Sequence, residues 1–335
     1  MTAMSSPPRC PACGHDEWSV AYKSLRDRVH DVPGEFDLWR CGSCGLWRLW
    51  PLPEDPASCY PEDYYSYRHT PQAPGSWRSA LSGRARQWQL RTAWRAHAAG
   101  RKLPHWFTYY PWLRSQAYRE LTEYAPAKAE SLLDVGCGSG DFIAEARVLG
   151  MKVRGVEISE SAVEVARGRG LSCDAGGLAG LAGTSERFDV IRLFHVLEHL
   201  EDPLEGLRTI VGALSPGGVA IIGVPNTDGL MARLCREDWH PLQIPRHLWG
   251  FEPRNLSLLL DQAGLDVRRI HHASYESNIY RSLCNLLETR AGLTLSEADP
   301  PKGVLSLCAR IGWLIDPAEL GDCLVVVAER SPTRT

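Results

Sequence analysis

The chain has 335 residues, 44% of them hydrophobic and 23% charged, with a formal net charge of −3. That length supports one large core with one or two smaller units, and the charge gives no reason to expect nucleic acid as a partner of the whole chain. No apolar run approaches the ~20 residues of a membrane helix, and MTAMSSPPRCPACG lacks the charged-then-apolar layout of a secretory signal, so a cytoplasmic protein is expected.

Eleven cysteines, an odd number in a chain read as cytoplasmic, point to thiols and metal rather than disulfides. The first of them fall in CPACG (Cys10 and Cys13) and CGSCG (Cys41 and Cys44), two Cys-x-x-Cys knuckles 27 residues apart and each followed by glycine. That is the spacing of a four-thiolate tetrahedral zinc site. EWSVAYKS and EFDLWRC between and beside the knuckles predict short strands, so residues 1–64 are expected to form a zinc ribbon. Four thiolates leave zinc no open position, which gives it a structural and not a catalytic role. His15, His30 and Cys59 are substitute ligands by residue type alone.

Residues 65–123 change character. From Ser66 to Arg119 there is no Asp or Glu but ten Arg or Lys, interleaved with Trp77, Trp88, Trp94, Trp106 and Trp112. RSALSGRARQWQLRTAWRAHAAG is predicted to be largely helical up to Gly100. Arg84, Arg91 and Arg95 fall close to Trp88 on a helical wheel, so no clean membrane-facing stripe forms. Two readings stand: an anion-facing surface with arginines stacked on indoles, or a helical linker with solvated arginines.

From residue 124 to 270, apolar runs (SLLDVGCG, KVRGVEIS, GLSCDAG, FDVIRLF, GVAIIGVPN) alternate with helix-like stretches, the pattern of an α/β fold with a mainly parallel sheet covered on both faces. In LLDVGCGSGDF a strand ends in Asp134 and runs straight into Gly136, Cys137, Gly138 and Gly140 before a helix. Such a loop lets backbone approach a ligand and exposes amides at a helix N-terminus. Glu157, at the tip of the next strand and followed by Ile158, places a carboxylate where it can accept two ribose hydroxyls. Nicotinamide and flavin proteins use Gly-x-Gly-x-x-Gly, whereas this loop reads Gly136-x-Gly138-x-Gly140 with Asp134 before it.

On these residues the sequence resembles the class I S-adenosylmethionine-dependent methyltransferases, over roughly residues 125–270. The resemblance implies a Rossmann-like, mainly parallel seven-stranded sheet. It implies that the glycine loop holds the methionine part of S-adenosyl-L-methionine, that Glu157 holds its ribose, and that Asp174 in DAGGL lies near the adenine. Phe194, at the end of the fourth strand, joins the cofactor set.

LFHVLEHLEDP contains His195-x-x-Glu198-His199, the spacing of an inverted zinc-peptidase motif, which needs its groups on one helix face. With Val190–Phe194 read as strand, His195 sits at the strand tip and the peptidase reading fails. Similar methyltransferases, the ubiquinone-pathway O-methyltransferases among them, carry comparable LEH runs here. Strand tips are where open α/β sheets bind ligands, so His195 is a candidate contact for the methyl acceptor, with Glu198 and His199 facing the same cavity. Some relatives with glutamate at the position of His195 use the run to hold a divalent ion. For His199, capping or packing of the helix is the alternative.

A second cluster, DWHPLQIPRHLWGFEP, gathers Trp239, His240, Arg246, His247 and Trp249. It resembles a methyltransferase subgroup that also carries an N-terminal Cys-x-x-Cys zinc module and is associated with sugars, glycans and specialised metabolites. His247 is then a rival general base, Arg246 an anion clamp, and His240 and Trp249 acceptor contacts. A loop locked by packing its own aromatics is the other reading. Residues 271–335 hold helix-like IYRSLCNLLETRAG and VLSLCARIGWLI and a last strand, DCLVVVAER. An insertion of that length serves as a lid or dimer face, so a homodimer is an expectation.

The favoured activity is O-methylation of a small-molecule or sugar acceptor, with a histidine of free pKa ~6.5 taking the proton. C- or N-methylation of a specialised metabolite or nucleotide sugar is the alternative. An RNA methyltransferase is a further one, weakened by the lack of an Asn-Pro-Pro-Tyr-like motif, and a non-enzymatic module that keeps only the cofactor fold is the last.

Overall fold

The structure, a computed structural model, describes residues 6–60, 87–88, 91–96, 99–101, 116–181, 183–296 and 300–332. It divides into two compact units, one of Met1–Pro61, Phe194–Arg208 and Ile222–Thr335 and the other of Glu62–Leu193 and Thr209–Ile221. Of the basic, Trp-rich segment, residues 87–88 and 91–96 are helical and Gly100 has φ +65, in keeping with a helix ending there. Most of the remainder, including Trp77, Arg84, Trp106 and Trp112, lies outside the described residues.

In the first unit β1 (Trp18–Leu25), β2 (Phe36–Cys41) and β3 (Trp47–Leu49) form an antiparallel ribbon. Their aromatic and β-branched residues suit a pleated, half-buried surface. The knuckle glycines Gly14 and Gly45 have φ +74 and +78, a turn conformation that glycine adopts without Cβ strain.

The second unit carries α1 (Gln116–Glu123) and the parallel strands β4 (Ser131–Val135), β5 (Lys152–Glu157), β6 (Cys173–Ala175) and β7 (Phe188–Phe194), connected through α2 (Asp141–Val148) and α3 (Glu160–Gly168). Leu132, Leu133, Val190, Ile191 and Leu193 are wholly buried, as expected of parallel strands covered on both faces. The Ser159 side chain caps α3 by accepting from Ala162 N. With α4 (Pro203–Ala213) and β8 (Leu214–Pro225), the chain passes back into the first unit.

There α5 (Leu230–Cys235) leads to a loop, and Trp249–Gly250 forms β9, which pairs antiparallel with β3 as the fourth strand of the ribbon (Trp47 opposite Gly250). The ribbon is thus completed by residues some 200 positions downstream of 1–64. Next, α6 (Pro253–Ala263) begins with a Glu252–Asn255 capping box and Pro253 in its first turn, and ends on Gly264 at φ +88. β10 (Leu265–Ala273) pairs antiparallel with β11 (Cys323–Arg330); α7 (Glu276–Ala291) and α8 (Val304–Ile315) lie between them in sequence. The seven-stranded sheet has the order β10-β11-β8-β7-β4-β5-β6, the mainly parallel, Rossmann-like arrangement expected. Among the described residues no helix is long and apolar enough to cross a membrane.

Candidate functional site

Four sulfurs meet at the ribbon knuckles. The Sγ atoms of Cys10 and Cys44 are 3.6 Å apart, as are those of Cys13 and Cys41, and all four lie within 4.8 Å of one another. Zinc at about 2.3 Å from each sulfur requires tetrahedral edges of about 3.8 Å, so the four residues fit the ion. Cys59 is buried apart from them, with its thiol toward the Asp55 carbonyl.

The glycine loop after β4 behaves as a ligand cradle. Gly136, Gly138 and Gly140 all have positive φ. Gly140, at φ +86, is favoured by conformation, and a Cβ there would also press on the Leu171 side chain at 2.5 Å. Glu157, 6% exposed, accepts from the amide N–H of Gly138 (2.9 Å), Ile158 (2.8 Å) and Ser159 (3.0 Å) and so ties β5 to the loop. Beside it Ile158 stands 66% exposed, an apolar side chain at a strand tip with room for a flat ligand against it. These residues fit S-adenosyl-L-methionine: amides at a helix start, a carboxylate for hydroxyls and an exposed apolar face.

Three members of the expected cofactor set have other partners. Asp134 is 1% exposed and accepts from Arg192 (3.1 Å), which also grips Glu120 (2.5 Å). Burial pushes the Asp134 carboxyl up to about 6, against the opposing pull of Arg192. Cys137 turns its sulfur to Cys173, 3.3 Å away. Asp174 pairs with Arg154 at 2.7 Å and stays half exposed. The Glu120–Arg192–Asp134 cluster was missed in the sequence, although an arginine inside the apolar run FDVIRLF was the sign of it.

Beyond β7 the chain makes one left-handed residue, His195 at φ +54, whose N–H donates to the Gly223 carbonyl. A non-glycine residue in this region is uncommon and clusters at functional positions. Leu197–His199 is a single 3-10 turn, so His195 and His199 share no continuous helix and the peptidase geometry is absent. His195 Nδ1 is 3.0 Å from Glu198 Oε1, with the histidine side chain 34% exposed and the carboxylate wholly buried. Burial alone would raise the Glu198 carboxyl. The His195 hydrogen bond and the fields of His195, His199 and His247 hold it down to about 2. An ionised carboxylate only accepts, so Nδ1 of His195 carries the proton and Nε2 presents its lone pair.

His199 Nδ1 lies 3.0 Å from the Arg246 carbonyl and 2.8 Å from the Tyr60 hydroxyl; burial lowers its basicity. His247 stacks edge-on against His199, donates Nδ1–H to the Pro241 carbonyl at 2.8 Å, and is driven by burial to about 3. Donor atoms of Glu198, His199 and His247 lie within 4.8 Å of one another, and Glu198 Oε2 has no hydrogen-bond partner among the described residues. Two imidazoles and a carboxylate can hold a divalent cation. Leu248 binds this turn to the ribbon: its N–H donates to the Glu198 carbonyl while its own carbonyl accepts from Leu49 N.

Two other residues of the second cluster, Arg246 and Trp249, are engaged in internal contacts. Arg246 is 1% exposed and forks both terminal nitrogens onto Asp27 at 2.7 and 2.8 Å. With its guanidinium closed off by Asp27, it has the geometry of an internal strut and not of the expected anion clamp. Trp249 is 5% exposed, bonds the Leu200 carbonyl through Nε1 and carries the Arg48 guanidinium 3.8 Å over its ring. That leaves the indole no open face toward an acceptor. His240, also buried, lines a cavity of about 350 Å³. Asp27 and Tyr60 were not singled out in the sequence.

Residues 109–270 match the family described as a methyltransferase domain. A ubiquinone biosynthesis O-methyltransferase of Cereibacter sphaeroides (strain KD131) is 31% identical over 163 residues, 44% of this chain and 65% of that protein. Its counterpart in Ruegeria pomeroyi is 35% identical over 165 residues, 44% of this chain and 64% of that one. The chain therefore spans slightly less than two thirds of the length of these relatives. Among solved structures, a SAM dependent methyltransferase from Archaeoglobus fulgidus aligns with 68% of this chain and all of its own at 19% identity and a TM-score of 0.44. A possible histamine N-methyltransferase from Thermotoga maritima aligns with 75% of this chain and 95% of its own at 18% identity and a TM-score of 0.42.

Proposed function

We propose that this chain, whose residues 109–270 match a methyltransferase domain family, is a class I S-adenosylmethionine-dependent methyltransferase that transfers a methyl group to a hydroxyl of a small-molecule or sugar acceptor, with His195 as general base. The observation that carries this reading is the His195–Glu198 pair. Its left-handed backbone lifts the imidazole off the end of β7, and the buried carboxylate fixes the tautomer that leaves Nε2 free to take a proton. Between the two histidines weighed from the sequence, His195 is favoured because His247 is buried, held by the Pro241 carbonyl and too weakly basic near neutrality. The names of the curated relatives support a hydroxyl acceptor.

When bound, S-adenosyl-L-methionine supplies a methyl group activated on a sulfonium. The glycines from Gly136 to Gly140 let the backbone approach the cofactor closely, and Glu157 would take the ribose hydroxyls through the carboxylate that accepts from Gly138, Ile158 and Ser159. In-line displacement needs alignment more than covalent help, so the protein's work is to orient the acceptor and remove its proton. Zinc on Cys10, Cys13, Cys41 and Cys44 holds the ribbon and takes no part in the displacement.

The test is methyl transfer by the purified full chain to a panel of hydroxylated small molecules and sugars, followed as S-adenosylhomocysteine release. Acceptor-dependent turnover that His195→Ala abolishes supports the reading, and turnover indifferent to His195 defeats it.

A further inference from the structure

The ribbon strand β1 and the loop that follows α5 enclose a cavity of about 350 Å³ that the reaction scheme leaves unused. Its floor is apolar and buried, with Trp239, Leu242 and Ile244 at 2%, 8% and 5% exposure. Its exposed wall carries Lys23, Arg26 and Arg28 against the single acid Glu237. Arg26 and Arg28 are braced by Glu35 and Asp238, whereas Lys23 forms no ion pair with any described residue. Among the described residues, one buried donor of the lining, Nε1 of Trp239, has no hydrogen-bond partner. Leaving such a donor unpaired is costly, and an accepting ligand relieves that cost. His240 adds a donor: Arg281 can only donate to its Nε2, 3.4 Å away, so the proton of the neutral ring is on Nδ1. Gln243 is held at φ +38, a strained conformation for a non-glycine residue.

The cavity is also coupled to the histidine cluster. Trp239, Leu242 and Ile244 of its floor also line a small gap together with His247. A ligand seated here rests on the same loop that carries His247 and, through Leu248, contacts the Glu198 turn.

We propose that this cavity binds an anionic oxygen group, a carboxylate or a phosphate, on a small organic molecule, and that it anchors the methyl acceptor by that group. The anchoring role rests on the methyltransferase reading; the binding itself does not. Lys23 supplies the cation that no described acid pairs, Trp239 Nε1 and His240 Nδ1 supply further donors, and the apolar floor takes the organic body.

Calorimetric titration of the full chain with benzoate and with inorganic pyrophosphate tests this, with benzyl alcohol as the neutral control. One anion is expected to bind, and which of the two it is assigns the group as carboxylate or phosphate. Lys23→Ala, at a position open to solvent, should weaken it at least fivefold and Lys23→Glu more strongly still, with circular dichroism unchanged. Trp239→Phe should weaken it too, and the other two variants keep the test valid if that one does not fold. Failure of both anions to bind better than benzyl alcohol, or binding indifferent to both Lys23 variants, overturns the proposal. S-adenosylhomocysteine is titrated separately. Its failure to bind sinks the methyltransferase reading and leaves the anion site standing, while anion failure with the cofactor still bound sinks the anion site alone.

Discussion

Glu198 receives the Nδ1 proton of His195 across 3.0 Å, with the carboxylate wholly buried and the imidazole one third exposed. A base prepared in this way loses its function if either member is removed, for different reasons. His195→Ala is expected to lower kcat by roughly 10²–10⁴-fold, the usual contribution of a general base. Glu198→Gln, which can no longer hold the same tautomer by charge, should lower kcat less. Both should leave the affinity for S-adenosylhomocysteine within about twofold, whereas His247→Asn should retain kcat within about tenfold. Equal losses at His195 and His247 would remove the assignment of the base.

Glu157 is the counterpart on the cofactor side. Its carboxylate accepts from three backbone amides that also shape the glycine loop, so Glu157→Ala takes away both the ribose acceptor and a brace. Hydrogen bonds to charged groups contribute about 1.5–3 kcal/mol, so cofactor affinity should fall by roughly ten- to a hundredfold. Unchanged calorimetric affinity would take the ribose away from Glu157.

What could be read from the sequence follows from how locally each feature is determined. The β4–glycine loop–α2 unit needs positive φ at three alternate positions, 136, 138 and 140, and only glycine signals that in the residues themselves. The cysteine knuckles are equally local. β9 was illegible because two residues, Trp249 and Gly250, have no strand signal of their own and gain it by pairing with β3. Arg246 was misread for a related reason: among histidines and tryptophans an arginine looks the same whether it awaits an anion or already holds Asp27, 219 positions away. The left-handed backbone of His195 has no sequence signature either, since it is imposed by the Gly223 carbonyl from the next strand.

The Asp27–Arg246 pair gives a direct measure of that misreading. Both side chains are fully buried, and the Asp27 carboxyl, though burial raises it, is held below its usual range by Arg246 and by the amides of Val29 and Val32. Removing one partner of a buried pair typically costs about 3–5 kcal/mol, because the other is left charged and uncompensated. Arg246→Ala should therefore reduce stability in urea denaturation by about that amount. An anion clamp would instead show a raised acceptor KM with stability intact.

For the ribbon, one zinc per chain is expected by elemental analysis of protein purified without added metal. Cys41→Ser should lose the ion and with it the ribbon, because a small segment with few apolar residues draws its folding free energy from the metal. The loss should register as protease sensitivity within residues 6–60. Protein free of metal yet resistant in that segment would refute the zinc assignment.

Asp322 offers a pH-dependent test that is independent of the reaction. It is 1% exposed, neither carboxylate oxygen has a hydrogen-bond partner among the described residues, and burial, aided by the charge of Asp316, pushes its carboxyl from 3.8 to about 7. A folded value above the unfolded one means that the native state holds the proton longer. Its contribution to stability is complete below the unfolded value and is lost as pH rises through about 7. Each pH unit in that window is worth about 1.4 kcal/mol, so Asp322→Asn, which cannot ionise, should gain on the natural protein by roughly that much per unit between pH 4 and 7. Above pH 7 the gap should level off. Urea denaturation of both proteins at pH 5, 6, 7 and 8 measures it. A difference that stays constant across the series would show that Asp322 is ionised in the native state throughout, held by a partner that its surroundings do not reveal.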